Sequence, residues 1–308
     1  MTGADESKIT YPSFILPRLE FPLTIIYRDG GHDRGTVRMK SFDEVSGKWA
    51  DHPKPILSGS DLKPWTANAY WNRPAIGLDG SIHLAFVWRT HLLGEGKLIN
   101  NINIGYATSL DNGKSWVTSL GRPYQLPITP VNAETIYAVS PGSNLINQSG
   151  MSLDSQGRPH IVFYSNDEDG VPQYQHIWYV NGKWKQQFLS RRASRFDLTG
   201  NGTLKIPISR PEIIIDRMDN IYIIFRGDLS QNRMVAMKLI PPNYDCLDFT
   251  AKVLIEDDVG YAEPVIDHAR WAHDNVLTLL MQYSQQPNND VNPEYITSQV
   301  RLVDFRIS

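Results

Sequence analysis

The sequence predicts an all-β fold, a β-propeller of four-stranded antiparallel blades in which five units are visible. Two observations favour it: a strand–turn–strand pattern that recurs through the 308 residues, and glycine hairpin turns that are each followed by tryptophan. A third is that no window of about 11 residues or more shows helical periodicity.

Each recurring unit is a short apolar strand, a turn rich in Asp, Gly or Asn, and a second apolar strand that ends in an aromatic residue or arginine. Four units carry an aspartate in the turn, and the unit that opens the chain lacks it. The aligned aspartates lie between 51 and 75 residues apart, at Asp79, Asp154, Asp216 and Asp267. Such spacings fit a blade with loops of variable length, in a propeller of five to seven blades.

Three hairpin turns carry the tryptophans, at 46–49, 112–116 and 181–184. The middle turn belongs to Ser109–Trp116, which has the S-x-D-x-G-x-[ST]-W pattern of an Asp box, as found in sialidase-like propellers. Its aspartate can accept hydrogen bonds from turn amides while the tryptophan packs between sheets. We therefore interpret these turns as structural.

In an antiparallel meander the short turns share one face, and the long irregular loops 90–100, 125–147 and 188–208 share the other. Long loops on a rigid scaffold are where function usually lies. Candidate ligand-binding residues on this face are Arg28, Trp71, Arg73, Trp88, Arg89, Asn101, Asn144, Gln148, Glu263 and Tyr283. Arginine matches a carboxylate bidentately and aromatic rings suit sugar faces, so the pattern predicts an acidic saccharide as partner. The alternative is that the arginines tie loops together.

Six segments, at 27–31, 88–89, 106–111, 144–148, 200–203 and 208–211, form an ordered series of motifs between about residue 11 and about residue 240. Together they resemble the BNR-repeat family that includes ulvan lyases and related polysaccharide lyases. This resemblance implies a propeller that cleaves a uronate-containing polysaccharide by β-elimination. Such lyases usually have seven blades. We expect residues 1–308 to form a single propeller domain, and its five units imply missing N-terminal blades, a shorter relative, or two blades without a visible pattern.

β-Elimination needs a group that neutralises the uronate carboxylate, a base for the C5 proton and an acid for the leaving O4. Arg210 or Arg226 suits the first role. Tyr164, at the end of a strand, suits the acid, and it also suits the base if neighbouring arginines lower its pKa.

The segment 101–103 reads Asn-Ile-Asn, where relatives in the family tend to have Asn-His-Asp. Ile102 therefore stands where the resemblance implies a histidine, and His91 in a long loop is the candidate substitute for the base. The same substitution favours a second hypothesis, a glycan-binding propeller without catalytic activity.

Other chemistries are alternatives with fewer supporting residues. A sialidase-like glycoside hydrolase could use the arginines with Glu263, although the Arg-Ile-Pro segment of sialidases is missing. Asp29, Asp228 and Glu263 are candidates for the paired carboxylates of a glycosidase. We expect no required cofactor and no catalytic metal. The acidic loop 167–169 is either a structural calcium site or a solvated loop.

Composition excludes several classes of protein. The net charge of −3 argues against a nucleic-acid binder, and the single Cys246 excludes an internal disulfide or a cysteine-based zinc site. No apolar run approaches the roughly 18 residues that span a bilayer, so no membrane partner is expected. The first ten residues lack the apolar core of a secretory signal. The predicted location is secreted or periplasmic if a signal has been removed, and cytoplasmic otherwise.

Overall fold

The computed structural model describes residues 6–31, 35–59, 67–90, 101–147, 150–200, 202–294 and 296–307. These residues form two compact units, one reaching to Pro141 and the other beginning at Gly142. Nearly all regular structure is antiparallel β-sheet, which confirms the predicted fold class. The prediction that residues 1–308 form a single domain stays a prediction.

The first unit contains two five-stranded sheets. One has the order β1-β2-β3-β4 with β5 beside β3, and its strands are β1 (Ile9–Ile15), β2 (Thr24–Gly30), β3 (Gly35–Asp43), β4 (Lys48–Asp51) and β5 (Leu57–Ser58). The other has the order β10-β9-β8-β6 with β7 beside β8. Its strands are β6 (Ala67–Trp71), β7 (Ala75–Ile76), β8 (Ile82–Thr90), β9 (Asn101–Ser109) and β10 (Thr135–Tyr137).

The second unit contains two four-stranded meanders and a two-stranded sheet. The first meander comprises β11 (Gly150–Leu153), β12 (Pro159–Asn166), β13 (Pro172–Val180) and β14 (Lys183–Phe188). The second comprises β15 (Glu212–Ile215), β16 (Ile221–Arg226), β17 (Met234–Leu239) and β18 (Lys252–Ile255). The last sheet pairs β19 (Leu277–Met281) with β20 (Arg301–Phe305). Helix α1 (His268–Asp274) precedes β19, and single 3₁₀ turns span Glu6–Lys8 and Asp228–Ser230.

The recurring aspartates fix the turn between the first two strands of their units. Asp154 Oδ1 accepts the backbone N–H of Arg158 at 2.9 Å, and Asp216 Oδ1 accepts that of Asn220 at 2.9 Å. Asp267 instead caps α1 by accepting the N–H of Arg270 at 2.9 Å. The helix has seven residues, which is too short for a periodicity search over about 11 residues to detect.

The Asp box has the structural role that its sequence predicts. Asp111 Oδ1 accepts the N–H of Ser115 at 2.8 Å, and Ser109 Oγ accepts the N–H of Gly113 at 2.7 Å. The turn aims Trp116 into the apolar core of the first unit, where the side chain is fully buried. Its indole N–H donates to the Gly113 carbonyl at 3.2 Å. Burial of this ring explains the tryptophan without any ligand.

Candidate active site

Four predicted residues of the second unit lie close together, since Tyr164 interacts electrostatically with Glu263, Arg210 and Arg226. Tyr164 lies near the end of β12, Arg226 ends β16, and Arg210 lies two residues before β15 begins. Because neighbouring strands are antiparallel, the start of β15 and the end of β16 lie at the same edge. Glu263 reaches this edge from the segment that leads to α1 and contacts Arg210.

Arg210 is held by Glu263 through both its backbone and its side chain. The backbone N–H donates to Glu263 Oε1 at 3.0 Å and Nε donates to the same oxygen at 2.8 Å, while Nη2 donates to Oε2. Burial alone would lower the pKa of Arg210, but the hydrogen bonds and charge of Glu263 raise it. The Arg210 side chain keeps 32% of its surface exposed, so a ligand can reach a fixed positive charge.

Tyr164 is a buried neutral phenol beside this ion pair. Its side chain is 1% exposed, and Tyr164 Oη has no hydrogen-bond partner among the described residues. Burial, followed by the charge of Glu263, raises the pKa of Tyr164 well above its usual value, whereas Arg210 and Arg226 act in the lowering direction. The expected lowering of this pKa by the arginines is therefore outweighed. In this environment the phenol is suited to donate a proton and unsuited to act as a base.

Arg226 is fully buried, and its guanidinium binds backbone carbonyls. Nη1 donates to Pro207 at 2.7 Å, Nη2 to Ile206 at 3.2 Å and Nε to Ala262 at 3.1 Å. Burial lowers the pKa of Arg226. Arg226 therefore fits the alternative in which some of these arginines hold loops together. Arg210 is the more accessible cation of the two.

Two residues that no sequence pattern indicated, Lys205 and Tyr261, lie next to this group. The Lys205 ammonium sits 4.3 Å from the centroid of the Tyr261 ring, and the Arg226 guanidinium sits 5.5 Å from the same centroid. Tyr283 is exposed and its ring lies against Gly260, next to Tyr261. Their chain positions follow no repeat, so only the aromatic and basic content of the loops could have indicated them.

A second group of predicted residues lies in the first unit around Tyr70. The guanidinium groups of Arg28 and Arg89 each lie 4.8 Å from the Tyr70 ring centroid, and Arg28 also lies 4.7 Å from the ring of Tyr11. Arg28 is buried; Nε donates to Thr10 Oγ1 at 2.9 Å, and Nη1 has no hydrogen-bond partner among the described residues. Both guanidinium groups therefore interact with the Tyr70 ring.

The remaining predicted residues of the first unit differ in exposure. Asn101 is fully buried and accepts the Nε–H of Arg89 at 3.0 Å. Trp71 and Trp88 belong to the apolar core, where each is 3% exposed, and Ile102 packs against the same core. Arg73 is exposed. Packing thus accounts for both tryptophans, whereas the notion that they contact sugar stays a prediction.

Asn144, predicted to bind ligand, uses its amide to hold a loop in the second unit. Its Nδ2 donates to Asn166 Oδ1 and to the Phe196 carbonyl, each at 2.8 Å, while Oδ1 accepts the N–H of Leu198 at 2.7 Å. The other two predicted residues, His91 and Gln148, lie outside the described residues.

No group of three or more His, Cys, Asp or Glu side chains within the described ranges could hold a metal ion. In the acidic loop, Asp167 Oδ1 accepts the N–H groups of Asp169 and Val171, and Oδ2 accepts the side-chain amide of Gln173 at 2.9 Å. These bonds fix the turn, and a structural calcium there stays a prediction. Among the described helices, none has the length and apolar character needed to cross a membrane.

The family model described as "BNR repeat-containing family member" matches residues 1–192. No curated protein matches the chain.

Several solved structures share the fold at low sequence identity. A polysaccharide lyase, an ulvan lyase bound to -[GlcA(1-4)Rha3S]-, has a TM-score of 0.62 and 15% identity over 90% of this chain and 63% of its own. The polysaccharide lyase Uly1 has a TM-score of 0.59 and 15% identity over 96% of this chain and 58% of its own. The Hadza microbial sialidase Hz136 has a TM-score of 0.51 and 12% identity over 89% of this chain and 53% of its own. The chain therefore has a polysaccharide lyase-like β-propeller fold, and it spans less than two thirds of the length of these proteins.

Proposed function

This chain belongs to the BNR repeat-containing family, and from that premise we propose that it is a polysaccharide lyase. Its substrate is an acidic, uronate-containing polysaccharide, which it cleaves by β-elimination. A neighbour with the same fold, an ulvan lyase, has been solved with a glucuronate-containing ligand, which supports this substrate class.

One observation carries the proposal: a neutral, buried phenol without a hydrogen-bond partner stands beside a fixed arginine. Tyr164 keeps its proton because burial and Glu263 raise its pKa, and its hydroxyl is uncommitted within the described residues. A buried hydroxyl without a partner costs stability, so such groups are often functional. A substrate oxygen supplies the missing partner.

The reaction begins with the uronate carboxylate at Arg210. The guanidinium neutralises the carboxylate, which makes the C5 proton more acidic and stabilises the charge that develops as this proton leaves. Glu263 holds the guanidinium in place before substrate arrives, so little reorganisation is needed. A base accepts the C5 proton; His91, the candidate that the sequence suggests for this role, lies outside the described residues.

In the second half of the reaction the electron pair of the C5–H bond forms the C4=C5 double bond, and the C4–O4 bond breaks. Tyr164 donates its hydroxyl proton to the leaving O4. One product ends in a 4,5-unsaturated uronate and the other gains a free hydroxyl. Tyr164 then regains a proton from water and the base releases one to water, so the site is restored without any oxidant or reductant.

A time course of ultraviolet absorbance on a panel of acidic polysaccharides tests the proposal, because the unsaturated uronate absorbs and hydrolysis products do not. The wild-type protein should raise the absorbance with at least one uronate polymer, and Arg210→Ala should abolish the rise. No rise on any uronate polymer, with retained binding, would overturn the lyase. Unchanged activity in Arg210→Ala would overturn the assignment of the carboxylate-neutralising group.

One observation favours the second candidate, a glycan-binding propeller without catalysis. Ile102 packs its side chain against the apolar core of the first unit and offers no acid or base there. If this candidate is right, calorimetry should detect binding of an acidic oligosaccharide while the absorbance stays flat. A sialidase-like hydrolase would release reducing sugar without raising the ultraviolet absorbance.

A further inference from the structure

Lys205 presents an exposed positive charge that forms no ion pair with the carboxylates of the described residues. Its ammonium lies 4.3 Å from the centroid of the Tyr261 ring. Arg226, whose guanidinium lies near the same ring, donates instead to backbone carbonyls. A free cation above an aromatic face is available for an anionic ligand.

The loop that carries Lys205 is fixed from one side by acceptors on the segment 286–290. Asp290 Oδ1 accepts the N–H of Thr203 at 2.7 Å, and Asn288 Oδ1 accepts that of Lys205 at 3.2 Å. The next N–H, of Ile206, donates to Gln286 Oε1 at 3.0 Å. These three hydrogen bonds fix the backbone around Lys205.

Arg226 fixes the same loop from the other side by donating to the carbonyls of Ile206 and Pro207. Its guanidinium also lies 5.5 Å from the Tyr261 ring and interacts electrostatically with Tyr164 and Glu263. The backbone of Lys205 is therefore fixed at the border of the candidate active site. A fixed backbone lowers the entropy lost when a charged ligand orders the loop.

We propose that Lys205 and Tyr261 form a subsite for an anionic substituent on the sugar that adjoins the uronate at Arg210. The ammonium binds the substituent, a carboxylate or a sulfate ester, and the Tyr261 ring supports the sugar. The placement of the uronate rests on the proposed function, whereas binding of the anionic substituent does not require turnover. The subsite makes this chain selective for polysaccharides with anionic groups on adjacent sugars.

The test compares binding of three probes by calorimetry. They are an oligoglucuronate, an oligosaccharide alternating glucuronate with a sulfated deoxyhexose, and the desulfated form of the second. Wild-type protein should bind at least one of the first two about 3- to 10-fold more tightly than the desulfated form. Which of the two it prefers distinguishes carboxylate from sulfate. Lys205→Ala should remove the preference and Lys205→Arg should retain it.

Lys238 is a matched control because its ammonium also lies over a tyrosine ring, 5.3 Å from Tyr222. Tyr222 is four residues from Arg226 on β16, about 13 Å along the strand. Lys238→Ala should leave the preference intact.

The subsite is overturned if wild-type protein binds the three probes equally, if Lys205→Ala keeps the preference, or if Lys238→Ala removes it. A preference that depends on Lys205 in a protein without lyase activity would overturn the proposed catalysis alone. Lyase activity in a protein whose binding preference does not depend on Lys205 would overturn the subsite and leave the proposed catalysis standing.

Discussion

Glu263 accepts the backbone N–H and the Nε–H of Arg210 at one carboxylate oxygen, at 3.0 Å and 2.8 Å, and the Nη2–H at the other. One carboxylate therefore fixes both the chain before β15 and the direction of the guanidinium. Both side chains are mostly buried, with 32% and 20% of their surfaces exposed. The ion pair therefore contributes to the stability of the fold and also positions the Arg210 guanidinium, which we propose binds the uronate.

Glu263→Gln should lower the free energy of unfolding by about 1–3 kcal/mol, because hydrogen bonds to charged groups contribute this much when partly buried. Urea titration measures the change. The control is Glu256→Gln. The Glu256 side chain is 79% exposed and forms an ion pair with Arg233, so its loss should lower the free energy of unfolding by less than about 0.5 kcal/mol. Equal losses in the two variants would contradict a special role for Glu263.

Tyr164→Phe should leave the free energy of unfolding unchanged or raise it by up to about 1 kcal/mol, since it removes a buried hydroxyl without a hydrogen-bond partner. It should also lower kcat of the lyase reaction by about 100-fold or more, because the proton donor is lost. Thermal or urea unfolding, together with the absorbance assay, measures both.

Tyr174→Phe is the matched control for this prediction. The Tyr174 hydroxyl lies 2.9 Å from the carbonyl oxygens of Ser209 and Arg226, so its removal should cost about 1–2 kcal/mol. A Tyr164→Phe variant that is destabilised as much as Tyr174→Phe would show that Tyr164 has a structural role.

The sheets were predictable because their signals are local. The turn aspartates and the Asn-Gly turns act within a few residues, and strand order follows from the meander. At the 181–184 turn, Asn181 and Gly182 both have positive φ, at 52° and 75°, as the Asn-Gly signal predicts. Strand order likewise allowed Tyr164 and Arg210 to be assigned to one edge.

The use of each polar side chain was less predictable, since it depends on loops distant in sequence. Arg226 and Arg210 look alike at the ends of strands, yet Arg226 donates to three carbonyls and Arg210 to a carboxylate. Asn144 looks like a ligand-binding amide but binds loop residues up to 54 positions away. Lys205 carries no repeat signal, and its position depends on side chains more than 80 residues later.

Stability should fall as the pH drops from about 6.5 towards 4, because burial lowers the pKa of His83 to about 4. The neutral ring lies 2.8 Å from Ser81 Oγ and 2.6 Å from the Tyr106 hydroxyl. In this window the unfolded chain binds a proton that the folded chain does not, so the pKa difference removes at most about 3.4 kcal/mol as the pH falls. Below the folded pKa the loss levels off.

Urea unfolding at several pH values between 7 and 4 measures this loss. The pKa values of His160 and His176 are also lowered by burial, so wild-type protein should lose more than His83 alone explains. His83→Gln should show a shallower loss over the same range, and the difference between the two curves isolates His83. Parallel curves would contradict the assignment.

Gly260→Ala should destabilise the protein more than the matched variant Gly157→Ala. Both glycines have positive φ, 64° and 72°, so alanine at either position costs about 1–2 kcal/mol in backbone strain. At Gly157 a new Cβ would meet no atom within 4 Å, whereas at Gly260 it would lie 2.5 Å from the Ser284 carbonyl oxygen and 3.1 Å from the Tyr283 ring. The extra cost at Gly260 therefore reports a close approach of two chain segments beside Tyr261. Urea unfolding of both variants measures the extra cost, and calorimetry measures the glycan affinity of each. We expect only Gly260→Ala to weaken glycan binding. Equal affinities of the two variants would show that this contact does not shape the site.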